Sequence, residues 1–327
     1  VNAISRPALW LTAQDCRNLL APEDVLGEIE RALCWDAAGA IHWPTPRSLN
    51  IAPDRWGNDY HVKACVLEEV PVGGIRLVSH PRDESSPINT RLIVLIDPAT
   101  TLPLAIVDES WTYQQRTVAS VVLASRRLAA PEARTLAVVG AGKLARAALA
   151  YYAHLFPLDR VRIASRRPET RAALADDAAQ RYGVAAEPAP SVEAAVRGAD
   201  LVLTCTSSGQ PLLEDAWIGA GAVVASLETS EPGRDFAERA DLFVVDSREQ
   251  LQKELVAKFG PDGPGWIDAT VGEVVTGSHP GRTDPAQRVL IVTEGMASQD
   301  IALAYRAYCA ALAHGVGVPL PTGRVED

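Results

Sequence analysis

The sequence predicts an α/β protein of two domains, one of them built on a parallel sheet covered by helices on both faces. Three observations lead there. The 327 residues exceed what one hydrophobic core usually serves, so two domains are the first expectation. From residue 134 onward, short continuous apolar runs alternate with segments of helical periodicity, the pattern of parallel strands joined by covering helices. Residues 46 to 107 carry instead four strand-like runs separated by Pro, Gly and Asp turn clusters, which marks the first block as α+β.

The elements follow in order. Residues 8 to 40 have apolar residues at helical spacing and are expected to be helical, with "APEDVLGEIERAL" starting on a proline and two acids, as helix starts prefer. Strands are expected at "HVKACVL", "GGIRLVS", "RLIVLID" and "LPLAIVD", the last two joined by a hairpin turn at "DPATTL". Helical periodicity returns over 110 to 129 and stops at "APEAR". The alternating part reads "RTLAVVG", "KLARAALAYYAHLF", "RVRIAS", "PETRAALADDAAQRY", "GVAAEP", "SVEAAVRGA", "DLVLTCT", "GAVVASL", "DLFVVDS" and "REQLQKELVAKFG". A strand-like "RVLIVT" and the helix "SQDIALAYRAYCAALAHG" close the chain.

Composition narrows the function. Apolar residues make up 47% and charged residues 22%, ordinary for a soluble globular protein. A net charge of −10 and a pI near 5.2 argue against nucleic-acid or anionic-membrane partners, which require a basic face. The opening stretch lacks a charged region followed by an apolar one, and no run is long enough to span a membrane, so the cytoplasm is the expected location. Five cysteines without a C-x-x-C pair, and six histidines without i, i+4 pairing, predict neither a disulfide framework nor a metal site.

The strongest motif is "LAVVGAGKLARAALA", in which Gly140, Gly142 and Ala145 form G-x-G-x-x-A between a strand and a helix. That context makes it a dinucleotide site of the Rossmann type rather than a chance glycine turn. Gly140 permits the tight turn, Gly142 the approach of a pyrophosphate, and Ala145 close helix packing; Ala141, Lys143 and Leu144 complete the loop and the helix N-terminus. The next strand ends "IASRRPET", without the acid that binds a ribose 2′-hydroxyl. Ser165, Arg166 and Arg167 instead suit a 2′-phosphate, so NADP(H) is expected over NAD(H). Thr206 and Ser207 in "LTCTSSGQP" end another strand and face either the cofactor or, as hydroxyl caps, the next segment.

Together with "LPLAIVDESWTYQQRTVASVVLASRRLA" and "VGEVVTGSHPGRTDPAQRVLIVTEGMASQDIALAY", this motif resembles the ornithine cyclodeaminase/μ-crystallin family from about residue 45 to 312. That family includes cyclodeaminases, alanine and other amino-acid dehydrogenases, ketimine and imine reductases, and the dehydrogenases of siderophore diaminopropionate synthesis. The resemblance implies a discontinuous substrate-binding and dimerisation domain, residues 1–117 plus 297–327, with a Rossmann cofactor domain, residues 118–296, inserted into it. A homodimer through the substrate domains is expected. In the family two arginines and a lysine gather the substrate carboxylate, and these positions match Arg47, Arg116 and, in place of the lysine, Arg76 in "GGIRLVSHP". Arginine grips a carboxylate but stays charged, so Arg76 suits clamping and not proton transfer.

The family's catalytic aspartate, in a D-x-P-G loop, has no clear counterpart in "VVASLETSEPGRDF". One register points to Ser230 and another to Glu228, which is the better chemical candidate, with Glu231 next. Gly295 and Asp300 in "EGMASQD" match the family's segment beside the nicotinamide, although Asp300 equally suits a helix cap. Trp43, Trp56, Trp111 and Tyr113 offer an aromatic pocket or an ordinary core. The expected activity is an NADP(H)-dependent oxidoreductase exchanging hydride at C2 of an amino or imino acid, with Arg76 and Glu228 as catalytic groups. A redox-neutral ornithine or lysine cyclodeaminase with bound NAD is the alternative, followed by a cofactor-binding protein without turnover.

Overall fold

The structure, a computed structural model, describes residues 7–53, 55, 57–80 and 90–321. The chain divides into two compact units, Val1–Arg116 with Met296–Asp327, and Thr117–Gly295.

The first unit opens with strand β1 (Ala8–Leu11), where helical periodicity had predicted a helix over 8 to 40. Four consecutive apolar residues are too few for periodicity to separate strand from helix, and the helix start lies just beyond them. Thr12 and Asp15 form a capping box that begins α1 (Ala13–Leu19). Pro22 at a first-turn position then opens α2 (Pro22–Ala37) as a separate helix. Short strands β2 (Ile41–His42) and β3 (Ser48–Ile51) precede the long hairpin of β4 (Asp59–Leu67) and β5 (Val72–His80). A second hairpin joins β6 (Arg91–Ile96) to β7 (Pro103–Asp108) across the expected turn, where Asp97 N–H donates to the Leu102 carbonyl at 2.9 Å. Helix α3 (Thr112–Leu128) begins in this unit and continues into the second.

The second unit carries β8 (Thr135–Val139), α4 (Lys143–Leu155), β9 (Arg160–Ala164), α5 (Pro168–Tyr182), β10 (Ala185–Pro188), α6 (Val192–Val196) and β11 (Leu201–Thr204). It continues with β12 (Val223–Ser226), α7 (Arg234–Arg239), β13 (Leu242–Val245), α8 (Arg248–Phe259), β14 (Ala269–Thr270), α9 (Val271–Thr276) and β15 (Val289–Val292). All its strand pairs are parallel, in the order β10-β9-β8-β11-β12-β15-β13-β14. Every residue of β11, β12, β13 and β15 is buried, which is why they read as unbroken apolar runs rather than alternating ones. The order places β15, the "RVLIVT" segment, between β12 and β13.

The chain then returns to the first unit with α10 (Ala297–His314) and β16 (Val318–Leu320). The sheet there runs β16-β1-β7-β6-β5-β4-β2, with β3 also on β4; β1 and β7 are parallel and its other pairs antiparallel. No helix among the described residues is long and apolar enough to cross a membrane. The five cysteines form no disulfide with one another, with Cys16, Cys65 and Cys205 buried and Cys34 and Cys309 half-buried.

Candidate functional site

In the first unit the charged side chains gather on the inward face of the sheet. Glycine explains how they meet: a Cβ at Gly74 would stand 2.6 Å from Cγ1 of Ile301, so α10 lies directly on β5. That brings Asp300, one residue earlier on α10, to Arg76, two residues further along β5. Arg76 donates from Nε to Oε2 of Glu109 at 2.7 Å, and the same nitrogen lies 3.3 Å from Oδ2 of Asp300. Arg116 on α3 donates from Nε to Oδ1 of Asp300 at 2.5 Å. Arg91 of β6 lies 4.0 Å from Oε1 of Glu109. The Tyr113 ring stands within 4.1 Å of the Arg91 guanidinium, 5.0 Å of Arg116 and 5.7 Å of Arg76, a face that suits cations.

These charges are buried: Arg76 is 6% exposed, Arg116 2%, Asp300 1% and Glu109 0%. A buried ion survives only with partners, and removing one member of such a set costs about 3–5 kcal/mol. Burial works against the charge on Arg76, but Asp300 and Glu109 outweigh it and raise its pKa. Burial also pushes the Glu109 carboxyl up, with Asp300 adding to the effect and Arg76 and Arg116 pulling against it. The hydrogen bond Arg76 makes uses Nε. A guanidinium has five N–H donors, so those on its two terminal nitrogens have no hydrogen-bond partner among the described residues.

Of the residues expected from sequence, the structure thus brings Arg76, Arg116 and Asp300 together. Asp300 does not cap α10. The N-cap is Met296 without a side-chain bond, and the aspartate is engaged by the arginines. Arg47 precedes β3, with its guanidinium 4.5 Å from the centroid of the Trp43 ring. Tyr113 belongs to the cluster, whereas Trp56 and Pro81 lie outside the described residues. Glu109 and Arg91 were missed. Arg91 sits on the same side of its strand as buried Ile93 and Leu95, a signal available from alternation. Glu109 lies seven residues before Arg116, a spacing that repeats on one face of a helix, but it precedes the helix itself.

The second unit holds the glycine loop as expected. Gly140 has φ +121, and a Cβ there would lie 2.7 Å from the Cys205 carbonyl oxygen, so this turn requires glycine. Gly142 is the N-cap of α4, with φ −87, and a Cβ there would meet nothing within 4 Å. The space over Gly142 and the exposed N–H groups of the helix start fit the pyrophosphate of a dinucleotide, while Ala145 is fully buried. Beyond β9, Arg166 and Arg167 are exposed. Ser165 instead donates to the Arg167 carbonyl at 3.0 Å, and its own carbonyl accepts from Arg171 at 2.8 Å.

The loops after β11 and β12 are tied to each other. Thr206 donates from N–H to Oε1 of Glu231 at 3.0 Å, and its hydroxyl bonds the same oxygen. That hydroxyl also accepts from Ser208 N–H at 3.1 Å, so it caps its own turn; Ser207 is exposed. Glu231 is fully buried, and burial raises its pKa, with bonds from Thr206 and Thr204 working against the shift. Glu228 keeps a third of its side chain exposed and accepts from Ser230 N–H at 3.2 Å and Ser230 Oγ at 3.0 Å. Gly295 has φ +88 and donates to Oδ2 of Asp246 at 2.5 Å.

Comparison with known proteins places this chain. The profile of the ornithine cyclodeaminase/mu-crystallin family matches residues 9–314. The chain belongs to that family. A relative from Staphylococcus aureus, N-((2S)-2-amino-2-carboxyethyl)-L-glutamate dehydrogenase, is 29% identical over 266 residues, covering 77% of this chain and 78% of its own. Alanine dehydrogenase of Archaeoglobus fulgidus is 25% identical, covering 97% of this chain and 99% of its own. Among solved structures, an archaeal alanine dehydrogenase dimer with bound NAD superposes with a TM-score of 0.88 at 25% identity, covering 97% and 99% of the two chains. These relatives bear out the expectation of an α/β enzyme of the dehydrogenase and reductase kind.

Proposed function

We propose that the protein is an NADP(H)-dependent oxidoreductase that interconverts an amino acid and its imino acid by hydride exchange at C2. The observation that carries this reading is the buried set Arg76–Glu109–Asp300–Arg116, in which the terminal nitrogens of Arg76 remain without a hydrogen bond among the described residues. Glu109 and Asp300 fix the guanidiniums from one side, and a substrate carboxylate is the planar anion that Arg76 and Arg116 are shaped to grip, with Arg47 assisting. Such fixed donors act mainly by orientation, which is the largest contribution available without a covalent intermediate.

A nicotinamide cofactor in the second unit supplies the hydride chemistry, and Gly140, Gly142 and the start of α4 are the residues to hold it. The preference for NADP(H) rests on Arg166 and Arg167 and on the absence of an acid at the end of β9; the archaeal relative was solved with NAD. Glu228, with a third of its side chain exposed, is the acid we assign to proton exchange, since Glu231 is fully buried. The protein acts as a homodimer, as the archaeal alanine dehydrogenase does. Purified protein should oxidise NADPH when given 2-oxo acids together with ammonium or primary amines. Absence of oxidation across a broad panel, or release of ammonia and proline from ornithine without added reductant, would replace this reading.

A further inference from the structure

Arg91, the first residue of β6, stands diagonally beside Arg76 on the inward face of the first unit's sheet. Arg76 is opposite Ile93, and Arg91 is opposite Val78, two residues further along β5. Diagonal neighbours of this kind lie about 7–8 Å apart, within reach of long side chains. Glu109 serves both guanidiniums. Its Oε2 accepts from Nε of Arg76 at 2.7 Å, and its Oε1 stands 4.0 Å from a terminal nitrogen of Arg91. The Arg91 guanidinium lies over the Tyr113 ring, 4.1 Å from its centroid.

Two features set Arg91 apart from Arg76 and Arg116. Its contact with Glu109 is an ion pair too long for a hydrogen bond, and its side-chain N–H groups have no hydrogen-bond partner among the described residues. Arg76 and Arg116 each use Nε on a carboxylate, at 2.7 and 2.5 Å. Exposure differs in the same sense: 19% of the Arg91 side chain is exposed, against 7% for Arg76 and 2% for Arg116. Of the three, Arg91 is the most open to an arriving ligand. A guanidinium largely withdrawn from water with its hydrogen bonds unmade carries a cost that an acceptor on a ligand would remove. Stacking on an aromatic ring covers the flat side of the guanidinium and leaves its edge, which carries the donors and matches a carboxylate in two-pronged fashion.

We infer that Arg91 is a substrate-binding residue, whose edge takes the substrate carboxylate together with the terminal nitrogens of Arg76. This rests on the oxidoreductase reading above and adds to it a residue from β6, oriented by Glu109 and Tyr113. Loss of one charge-assisted contact predicts a change in affinity of about 10- to 100-fold.

The test measures NADPH oxidation with ammonium and the best 2-oxo acid of a panel from pyruvate to 2-oxoglutarate, in the wild type, Arg91→Met and Arg91→Lys. R91M should raise KM for the 2-oxo acid about 10- to 100-fold with kcat within about threefold. It should also keep the full NADPH-induced rise in Tm, and R91K should recover part of the lost affinity. A KM for R91M within about twofold of wild type overturns the inference, and so does a loss of NADPH stabilisation along with activity, which would mark a purely structural role. A wild type that turns over no member of the panel sinks the oxidoreductase reading instead, and thermal stabilisation by L-alanine, pyruvate and 2-oxoglutarate then decides Arg91 separately. A carboxylate that raises the Tm of wild type but not of R91M supports the inference, and equal effects on both proteins, or on neither, overturn it.

Discussion

Gly140 and Gly142 stand two residues apart in one loop, and substituting each with alanine should have opposite consequences. At Gly142 the backbone is in a region open to any residue, and the added methyl meets nothing within 4 Å. The loss of conformational freedom in the unfolded chain favours alanine by about 0.4–1 kcal/mol, and its poorer quality as an N-cap costs a similar amount. Gly142→Ala should therefore change the stability of the cofactor-free protein by less than about 1 kcal/mol. The methyl does occupy the space a pyrophosphate would need. Losing one or two charge-assisted bonds to phosphate, each worth about 1.5–3 kcal/mol, weakens dinucleotide binding by ten- to more than a hundredfold. Gly140→Ala meets a carbonyl oxygen at 2.7 Å with φ at +121, so it should destabilise the protein by about 1–3 kcal/mol even without cofactor. Thermal unfolding with and without NADPH separates the two. If G142A keeps the full NADPH-induced rise in Tm, the loop does not hold the pyrophosphate and the reasoning fails.

Other expectations concern the clamp and the cofactor's second phosphate. The pKa of Glu109 is raised by burial, so between the ordinary glutamate range and its raised value the folded state binds more protons than the unfolded one. Stability contributed at low pH should therefore decline as pH rises through that window, and Glu109→Gln should flatten this part of the denaturation-versus-pH curve; an unchanged slope would show that Glu109 does not titrate there. Gly74→Ala drives a methyl against Ile301 and should lower stability by about 1–3 kcal/mol in urea denaturation, unless α10 does not rest on β5. Arg166→Ala and Arg167→Ala should each weaken NADPH binding by about 10- to 100-fold and leave NADH binding alone, as titration calorimetry would report; equal losses for both cofactors would remove the 2′-phosphate assignment.

Much of this was legible in the chain because the informative contacts are local. The glycine loop, its flanking strand and helix, and the buried parallel strands are written in short windows of sequence, and so is the cap that starts α1, although β1 before it read as helix. The buried charge cluster is different. Arg76 meets Glu109 across 33 residues and Arg116 meets Asp300 across 184, and no local period encodes such distances. Resemblance to a family supplied Arg116 and Asp300. Glu109, Arg91 and the place of Lys63 opposite Arg76 depend on strand register, which a hairpin of two nine-residue strands sets only once its turn is known. The identity of residue 76 was visible from the start; that its charge is buried and answered by two carboxylates was not.

The central proposal is that C2 of the substrate exchanges hydride with a nicotinamide, its carboxylate being held by arginines. It is tested most directly by turning over NADPH deuterated at the transferable C4 position with a 2-oxo acid and ammonium, and locating the label by NMR. The account predicts one deuterium at C2 of the product amino acid, with label transfer slowed by Arg116→Met. Unlabelled product, or deuterium at any other carbon, would contradict it.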